Sequence, residues 1–414
     1  MDPHATDTSS RRSFLQSLAL GSLSAILASC SRPLPIPQAS APPSRTPGSG
    51  SADLISSPEE ALDVFELEAV AQARLPPAHF GYLAAGTDGD RTVQANRDAF
   101  DHWFLRPRRL VDVTTVDTSV ELLGIRWPTP IILAPIGSQR AFHPEGELAT
   151  ALAARAGNHL QILSSVTSTP VEAVAEARGV PLWYQLYPTT RYEIAESIVR
   201  RVTEAGVAAI VVTVDYPASP NRETQYRAAR RDSRDCKQCH TDATGDLRRK
   251  PMYVGTDVTA EQFRASNLTW ETIGRLRQLT PKPLLIKGIL TAEDAADCVR
   301  YGVDGIIVSN HGGRSVETGR ATLSCLPEVV AAVSKKVPVL VDSGFRRGTD
   351  IFKAIGLGAD AVCVGRPYIW GLAAFGQPGV ERTLALLQND LESVMRLTGI
   401  TSLKGITASA IGAA

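Results

Sequence analysis

The sequence has no excess of charge of either sign. It contains 43 Lys and Arg residues and 43 Asp and Glu residues among 414, so its formal net charge is zero. Domains that bind nucleic acid usually carry a basic face or stripe, and an even balance gives no sign of one. We therefore predict no nucleic-acid partner.

Cysteine is also scarce. Six cysteines in a chain of this length are too few for a disulfide framework. Cys298, Cys325 and Cys363 lie in apolar or helical stretches and are predicted to be buried thiols. The other three belong to the N-terminal segment and to a C-x-x-C-H pattern.

No apolar run is long enough for a comfortable membrane span. The longest candidate lies within residues 10–30, where Arg11 and Arg12 precede an apolar, serine-rich stretch that ends at Cys30. This pattern is typical of a twin-arginine export signal with a lipoprotein-type cleavage site. We expect export to the periplasm or the outer face of the cytoplasmic membrane, with a lipid anchor on Cys30; the alternative is a chance basic and apolar start on a cytoplasmic protein. Residues 31–60, rich in Pro and Ser, are predicted to be a linker.

Eight short apolar runs follow, separated by stretches with helical spacing. They occupy residues 130–135, 160–165, 182–187, 208–215, 283–288, 305–310, 337–344 and 361–366. Short buried strands that alternate with helices indicate a parallel sheet, and eight such repeats favour an α/β fold of the (β/α)8 TIM-barrel type. We assign residues 61–410 to this barrel, with a short N-terminal helical segment and a long loop, 216–282, after strand 4. A doubly wound sheet is less consistent because no G-x-G-x-x-G follows the first strand.

Polar residues end almost every predicted strand, which is where the active sites of such barrels lie. Lys287 ends an apolar strand and would need an anionic neighbour if it were buried. The last two strands end in glycines and arginines, Gly344, Arg346, Gly365 and Arg366, which is typical of a phosphate site.

The stretch "IIVSNHGGRSVE", residues 306–317, places His311 and Arg314 three residues apart after a buried strand. A guanidinium binds a carboxylate, and an imidazole beside it can take a proton from a hydroxyl group. Asp215, at another strand end, could orient that imidazole. Gly312 and Gly313 would let the backbone approach the substrate and the cofactor closely.

Several motifs together resemble the FMN-dependent L-2-hydroxy acid oxidases and dehydrogenases, such as glycolate oxidase, lactate oxidase, mandelate dehydrogenase and flavocytochrome b2. They are "SNHGGR", "DSGFRRGTDIFKAIGLGADAVCVGRP", "VDYPASPNRE", "QLY" and "LLIKGILTAEDA". The resemblance covers residues 62 to about 408. It implies oxidation of an L-2-hydroxy acid to a 2-oxo acid, with electrons that pass through FMN to oxygen, a cytochrome or a quinone-type acceptor, and it suggests a tetramer.

The resemblance also implies roles for individual residues. His311 would be the catalytic base oriented by Asp215, and Lys287 would lie beside the flavin. The substrate would be held by Arg222, Arg314, Tyr82 and Tyr187. The flavin ring would contact Pro135, Ile136, Gly137, Ser164, Gln185, Thr213, Lys287 and Ser309, and the ribityl phosphate would be held by Asp342, Gly344, Arg346, Gly365 and Arg366.

The sequence departs from the family pattern at three places. Val166 stands where glycolate oxidases have a Trp, so we expect room for a larger 2-substituent. The segment before Arg222 reads "DYPASPN". Cys236, Cys239 and His240 form C-x-x-C-H, which is the attachment pattern of a c-type haem; the alternatives are a loop disulfide, or neither, with a zinc site or a chance pair.

Two other functions stay open on the residues alone. One is another FMN-barrel chemistry, such as isomerisation of a phosphorylated substrate, and the other is an exported binding lipoprotein without catalysis. Both are disfavoured because the carboxylate-binding arginines occur together with His311 and Asp215.

Overall fold

The computed structural model describes residues 54–179, 181–233 and 247–414. Cys30 and the C-x-x-C-H pattern at Cys236, Cys239 and His240 lie outside the described residues. Within them, Cys298, Cys325 and Cys363 are buried free thiols, as predicted.

Eight parallel strands form the central sheet in the order β4-β11-β10-β9-β8-β7-β6-β5. A parallel bridge between Leu133 and Gln161 joins its first strand to the approach of its last. The sheet therefore closes on itself, which confirms the barrel and excludes the doubly wound alternative. The strands of the barrel are β4 Ile131–Leu133, β5 Ile162–Ser164, β6 Trp183–Leu186, β7 Ala209–Thr213, β8 Leu284–Ile289, β9 Gly305–Val308, β10 Val339–Asp342 and β11 Ala361–Val364.

Helices surround the barrel and precede it, and the short N-terminal helical segment is confirmed. They are α1 Val64–Arg74, α2 Pro77–Ala84, α3 Arg91–Asp98, α4 Gly146–Ala156, α5 Val171–Arg178, α6 Tyr192–Glu204, α7 Glu223–Ala229, α8 Ala260–Phe263, α9 Trp270–Leu279, α10 Ala292–Arg300, α11 Thr322–Val333, α12 Gly348–Gly356 and α13 Arg366–Thr398. The last helix kinks at Phe375 and Gly376, whose backbone angles are not helical.

The barrel strands bury both faces, and alternate residues belong to different parts of the core. One set, including Ile306, Val341 and Val362, packs against the helices. The other set, including Leu285, Ile307 and Leu340, fills the barrel interior. The antiparallel pair β2 Val120–Leu122 and β3 Ile125–Trp127 adds Leu122 and Trp127 to that interior cluster.

Three features differ from the sequence-based boundaries. Pro58–Glu60, assigned to the linker, is a 3-10 helix. Ile411–Ala413, beyond the expected end of the barrel domain, forms β12 and pairs with β1 Trp103–Leu105; such short strands have no periodicity to reveal them. The loop 216–282 contains helices, and the last of them, α9, buries Ile273 and Leu276.

Candidate active site

The polar residues of the site lie directly beyond the apolar interior of the barrel, toward the carboxyl ends of the strands. Side chains on a strand alternate between its two faces, so a residue two positions beyond an interior residue also points inward. Leu285 is thus followed by Lys287, Ile307 by Ser309 and Leu340 by Asp342. The same spacing gives Ser164, Gln185 and Thr213 on the remaining side of the barrel. The strand register therefore places a polar layer at the carboxyl end.

His311 lies directly after β9 and is held at both ring nitrogens. Its Nδ1 is 2.7 Å from Oδ1 of Asp215, and its Nε2 is 3.2 Å from the hydroxyl of Tyr187. His311 has a φ of 60°, in the left-handed region, and its amide donates to Ser309 Oγ at 3.0 Å. A non-glycine residue in this region stores backbone strain, which is typical of functional sites.

The charge on Asp215 fixes the tautomer of His311. Burial opposes that charge, but His311 and Lys287 together lower the pKa of Asp215. An ionised carboxylate only accepts hydrogen bonds, so the ring proton must lie on Nδ1. Burial also lowers the pKa of His311, against the opposite effect of Asp215. His311 is therefore a neutral imidazole with the lone pair of Nε2 directed toward the cavity side.

Lys287 is a buried ammonium between two carboxylates. Its Nζ lies 3.3 Å from Asp342 Oδ2 and 3.9 Å from Asp215 Oδ2, and it donates to Ser309 Oγ at 2.7 Å. Burial disfavours this charge, yet Asp342 and Asp215 together raise the pKa of Lys287. The expected anionic neighbour thus includes two of the protein's own carboxylates.

Arg314 is only partly satisfied by the protein. Its Nη1 donates to the backbone oxygens of Tyr82 at 2.7 Å and Ala85 at 2.5 Å. Its Nη2 is buried and has no hydrogen-bond acceptor among the described residues. Burial and the nearby Arg222 lower the pKa of Arg314 to about 9. A buried guanidinium with a spare donor is a binding group for an anion.

Arg222 completes a cationic group around one aromatic ring. Its guanidinium lies 5.5 Å from the ring centre of Tyr82, and that of Arg314 lies 4.6 Å from the same ring. Burial opposes ionisation of the Tyr82 hydroxyl, but Arg314, Arg222 and Lys250 lower its pKa. Arg222 Nη2 also donates to the hydroxyl of Tyr216 at 3.4 Å.

A cavity opens at this end of the barrel. Most of the predicted site residues line it: Tyr82, Pro135, Ile136, Gly137, Ser164, Tyr187, Lys287, His311, Arg314, Asp342, Gly344, Arg346, Gly365 and Arg366. Asp215, Gln185, Ser309, Thr213 and Arg222 are not part of this lining. The first three are bonded to residues that are, and Thr213 lines a neighbouring cavity.

Polar groups next to the cavity suit a flavin nucleotide. Gln185 Nε2 and Thr213 Oγ1 are buried without a hydrogen-bond partner among the described residues. A flavin ring carries carbonyl oxygens and ring nitrogens that would satisfy such groups, and an unsatisfied buried group is costly. At the other end, burial lowers the pKa values of Arg346 and Arg366 to about 10 each. A phosphate there would compensate two buried cations.

Two residues at that end are already engaged by the protein. Arg366 donates through Nε to Leu83 O at 2.9 Å and through Nη1 to Gly312 O at 3.0 Å. Asp342 Oδ2 accepts from Ser309 Oγ at 2.9 Å and pairs with Lys287. Because a carboxylate repels a phosphate, Asp342 suits the Lys287 side of the cavity rather than the phosphate.

The two glycines after His311 lie close to other parts of the protein. A Cβ on Gly313 would lie 2.8 Å from the backbone nitrogen of Val93 in α3. A Cβ on Gly312 would lie 3.0 Å from Nη1 of Arg366. Gly313 therefore packs against the N-terminal helices, whereas Gly312 also lines the cavity, and the expected approach to substrate and cofactor stays a prediction. Sequence alone did not show that α3 lies there.

A buried amide pair supports the His311 loop and was missed by the sequence analysis. Asn310 Nδ2 donates to Asn96 Oδ1 at 2.8 Å, and Asn96 Nδ2 donates back to Asn310 Oδ1 at 3.0 Å. Ser343 Oγ also donates to Asn310 Oδ1 at 2.9 Å. Asn310 stands inside the "SNHGGR" motif, whereas no sequence signal marks Asn96.

Comparison with known proteins decides the family. The model of the family described as FMN-dependent dehydrogenase matches residues 71–413. The chain belongs to the FMN-dependent dehydrogenase family. FMN is therefore its cofactor, and the cavity between Gln185 and Arg346 is the place that fits it.

Individual relatives of this FMN-dependent dehydrogenase agree with the family. A peroxisomal (S)-2-hydroxyacid oxidase of Arabidopsis thaliana is 40% identical over 351 residues, which cover 84% of this chain and 96% of the relative. The L-lactate oxidase of Lysinibacillus sphaericus is 39% identical over 353 residues, covering 82% and 90%. The crystal structure of a soluble mutant of the membrane-associated (S)-mandelate dehydrogenase from Pseudomonas putida matches with a TM-score of 0.78 at 33% identity, over 85% of this chain and 99% of that one.

In residues 54–179, 181–233 and 247–414 of this FMN-dependent dehydrogenase, no helix has the length and apolarity needed to cross a membrane. The same residues contain no group of three or more His, Cys, Asp or Glu side chains that could hold a metal ion.

Proposed function

We propose that this FMN-dependent dehydrogenase oxidises an L-2-hydroxy acid to the corresponding 2-oxo acid. The observation that carries the proposal is the pairing of a neutral base with a spare cationic donor on one short loop. His311 presents Nε2, and Arg314 presents a buried Nη2 without an acceptor among the described residues. A 2-hydroxy acid carries a hydroxyl group and a carboxylate on neighbouring atoms, so it can meet both.

Binding begins with the carboxylate. Arg314 and Arg222 face the ring of Tyr82 from within 6 Å, so the carboxylate gains two cations at once. Tyr187 donates to His311 Nε2, and burial raises its pKa well above the usual value. Its hydroxyl therefore stays protonated and can transfer its hydrogen bond to the substrate oxygen.

The chemical step breaks the O–H and Cα–H bonds of the substrate and forms a C=O bond. The hydroxyl proton moves to Nε2 of His311, and the resulting imidazolium is stabilised by Asp215 at 2.7 Å. A bound FMN would supply the acceptor for the two electrons and the hydrogen that leave the substrate carbon. Lys287, which lines the cavity and pairs with Asp342, keeps a positive charge beside the site.

The test is a substrate and acceptor panel with the FMN-loaded enzyme. Glycolate, L-lactate, L-mandelate and a long-chain L-2-hydroxy acid are assayed with oxygen and with a cytochrome or an artificial dye as acceptor. We expect turnover of at least one L-acid and none of its D-enantiomer. Failure with every acid and every acceptor would refute the proposal.

We further propose that the protein is exported through its twin-arginine segment and anchored at Cys30. Folded proteins use this route, which suits an enzyme that binds FMN before export. Lysine replacement of Arg11 and Arg12 should leave the protein in the cytoplasm, and Cys30→Ser should release it from the membrane fraction. An unchanged distribution in both variants would contradict the proposal.

The pair Cys236 and Cys239 stays open between a haem, a disulfide and neither of the two. A haem on this loop would favour electron transfer to a cytochrome, whereas a disulfide leaves the acceptor open, with oxygen included. A Soret band and a haem stain on protein matured in a host that attaches c-type haem would support the haem, and flavin absorbance alone would contradict it. A tetramer is expected from the family resemblance and is tested by light scattering.

A further inference from the structure

Lys250 is a cation that the chemistry described above does not use. It follows the 3-10 turn Leu247–Arg249 and is half-buried. Its Nζ donates to Ser138 Oγ at 2.6 Å. It forms no ion pair with any carboxylate in the described part of the chain.

Ser138 holds this ammonium near one side of the cavity. The amide of Ser138 donates to Val166 O at 3.0 Å, and its neighbour Gly137 lines the cavity together with Val166. A Cβ on Gly137 would lie 2.3 Å from Val166 Cγ2, so these two residues are in direct contact. Burial opposes ionisation of Tyr82, but Lys250 acts together with Arg314 and Arg222 to lower the pKa of its hydroxyl. The charge of Lys250 therefore acts on a residue that lines the cavity.

The position of Lys250 does not depend on its own hydrogen bond. Leu247, Met252 and Tyr253, which flank it, are 7%, 4% and 0% exposed. Arg201 Nη1 also donates to Pro251 O at 2.8 Å. Because these contacts fix the backbone, an anchoring role explains neither the cation nor its direction toward Ser138.

We propose that Lys250 and Ser138 form a second anion subsite, which binds a carboxylate on the 2-substituent of the substrate. The preferred substrates are then 2-hydroxy dicarboxylates. This inference rests on the proposed function, because the first carboxylate must be held by Arg314 and Arg222. Two arginines suffice for one carboxylate, so the third cation matches a second negative charge. Val166 lines the cavity next to Gly137, the residue before Ser138, so this side of the cavity adjoins the proposed subsite.

The test compares matched substrates on the FMN-loaded enzyme. L-2-hydroxyglutarate carries the second carboxylate, and L-2-hydroxy-5-methylhexanoate replaces it with an isopropyl group of similar shape. L-malate and L-2-hydroxy-4-methylpentanoate form a shorter pair. The ratio of kcat/KM within each pair is measured for the wild type, Lys250→Met and the neighbouring charge control Arg249→Met. Perturbation of the flavin spectrum by 2-oxoglutarate gives a second readout, the Kd of a product that is not turned over.

We expect the wild type to favour the dicarboxylate in at least one pair. In Lys250→Met that ratio should fall at least about tenfold, since a hydrogen bond to a charged group is lost. The Kd for 2-oxoglutarate should rise similarly, and Arg249→Met should change neither value. An unchanged ratio in Lys250→Met, an equal fall in both variants, or a wild type without the preference would overturn the subsite. The proposed function fails separately, if no 2-hydroxy acid of either kind is oxidised.

Discussion

Replacement of Asp215 by Asn removes one charge and tests how the base works. The Asp215 side chain is 8% exposed, and its Oδ1 lies 2.7 Å from His311 Nδ1. When His311 becomes charged, opposite unit charges about 4 Å apart attract by about 4 kcal/mol at an effective dielectric constant of about 20. The loss of this attraction should lower kcat by roughly 10³-fold, at about 1.4 kcal/mol for each factor of ten.

The same variant should shift the pH profile in a defined direction. The reaction needs neutral His311, so kcat/KM is constant above its pKa and falls as the pH drops through it. Burial already places this pKa below 6.5, and Asp215 acts to raise it. Asp215→Asn should therefore lower the pKa of His311 and move the acidic limb of the kcat/KM profile to lower pH. The plateau value of kcat/KM should fall at the same time.

The assay is the pH dependence of kcat/KM for the best substrate of the panel. Asp342→Asn is the matched control because Asp342 also pairs with Lys287, at 3.3 Å, but is not bonded to His311. It should leave the acidic limb within a few tenths of a pH unit. A plateau within threefold of the wild type in Asp215→Asn, or a limb that moves to higher pH, would refute the reasoning.

Three further predictions concern stability and selectivity. Lys287→Met leaves two buried carboxylates without their cation and should lower the free energy of unfolding in urea by about 3–5 kcal/mol. Arg191→Met, which removes surface ion pairs with Glu193 and Asp257, should lower it far less. Gly344→Ala should cost at least about 1 kcal/mol more than Gly206→Ala in the same assay; both glycines have positive φ, but only at Gly344 would the Cβ meet a backbone oxygen, at 2.2 Å. Val166→Trp should lower kcat/KM for L-mandelate relative to glycolate by at least about tenfold, and an unchanged ratio would contradict the room expected beside Val166.

The barrel strands could be predicted from sequence because they are short, doubly buried apolar runs, each ended by a polar residue. The alternation along β8 and β9 also explains why Lys287 and Ser309 point inward. The family motifs added His311 and Arg314, and the structure brings both to one cavity.

Contacts between distant segments could not be predicted in the same way. The bond between Asn96 and Asn310 spans 214 positions and depends on where α3 packs. The same packing explains why a glycine stands at Gly313, because a Cβ there would collide with Val93. No sequence pattern marks Lys250 either, because its proposed role depends on its hydrogen bond to Ser138, which is 112 positions away.

The most direct test of the central claim is anaerobic reduction of the bound flavin in a single turnover. FMN-loaded wild type and His311→Gln are mixed with the best L-2-hydroxy acid, and the visible flavin absorbance is followed together with the 2-oxo acid formed. The account predicts that the wild type is bleached with one 2-oxo acid formed per flavin, and that His311→Gln stays yellow and folded with a rate lower by at least about 10³-fold. Bleaching of His311→Gln at the wild-type rate would contradict it.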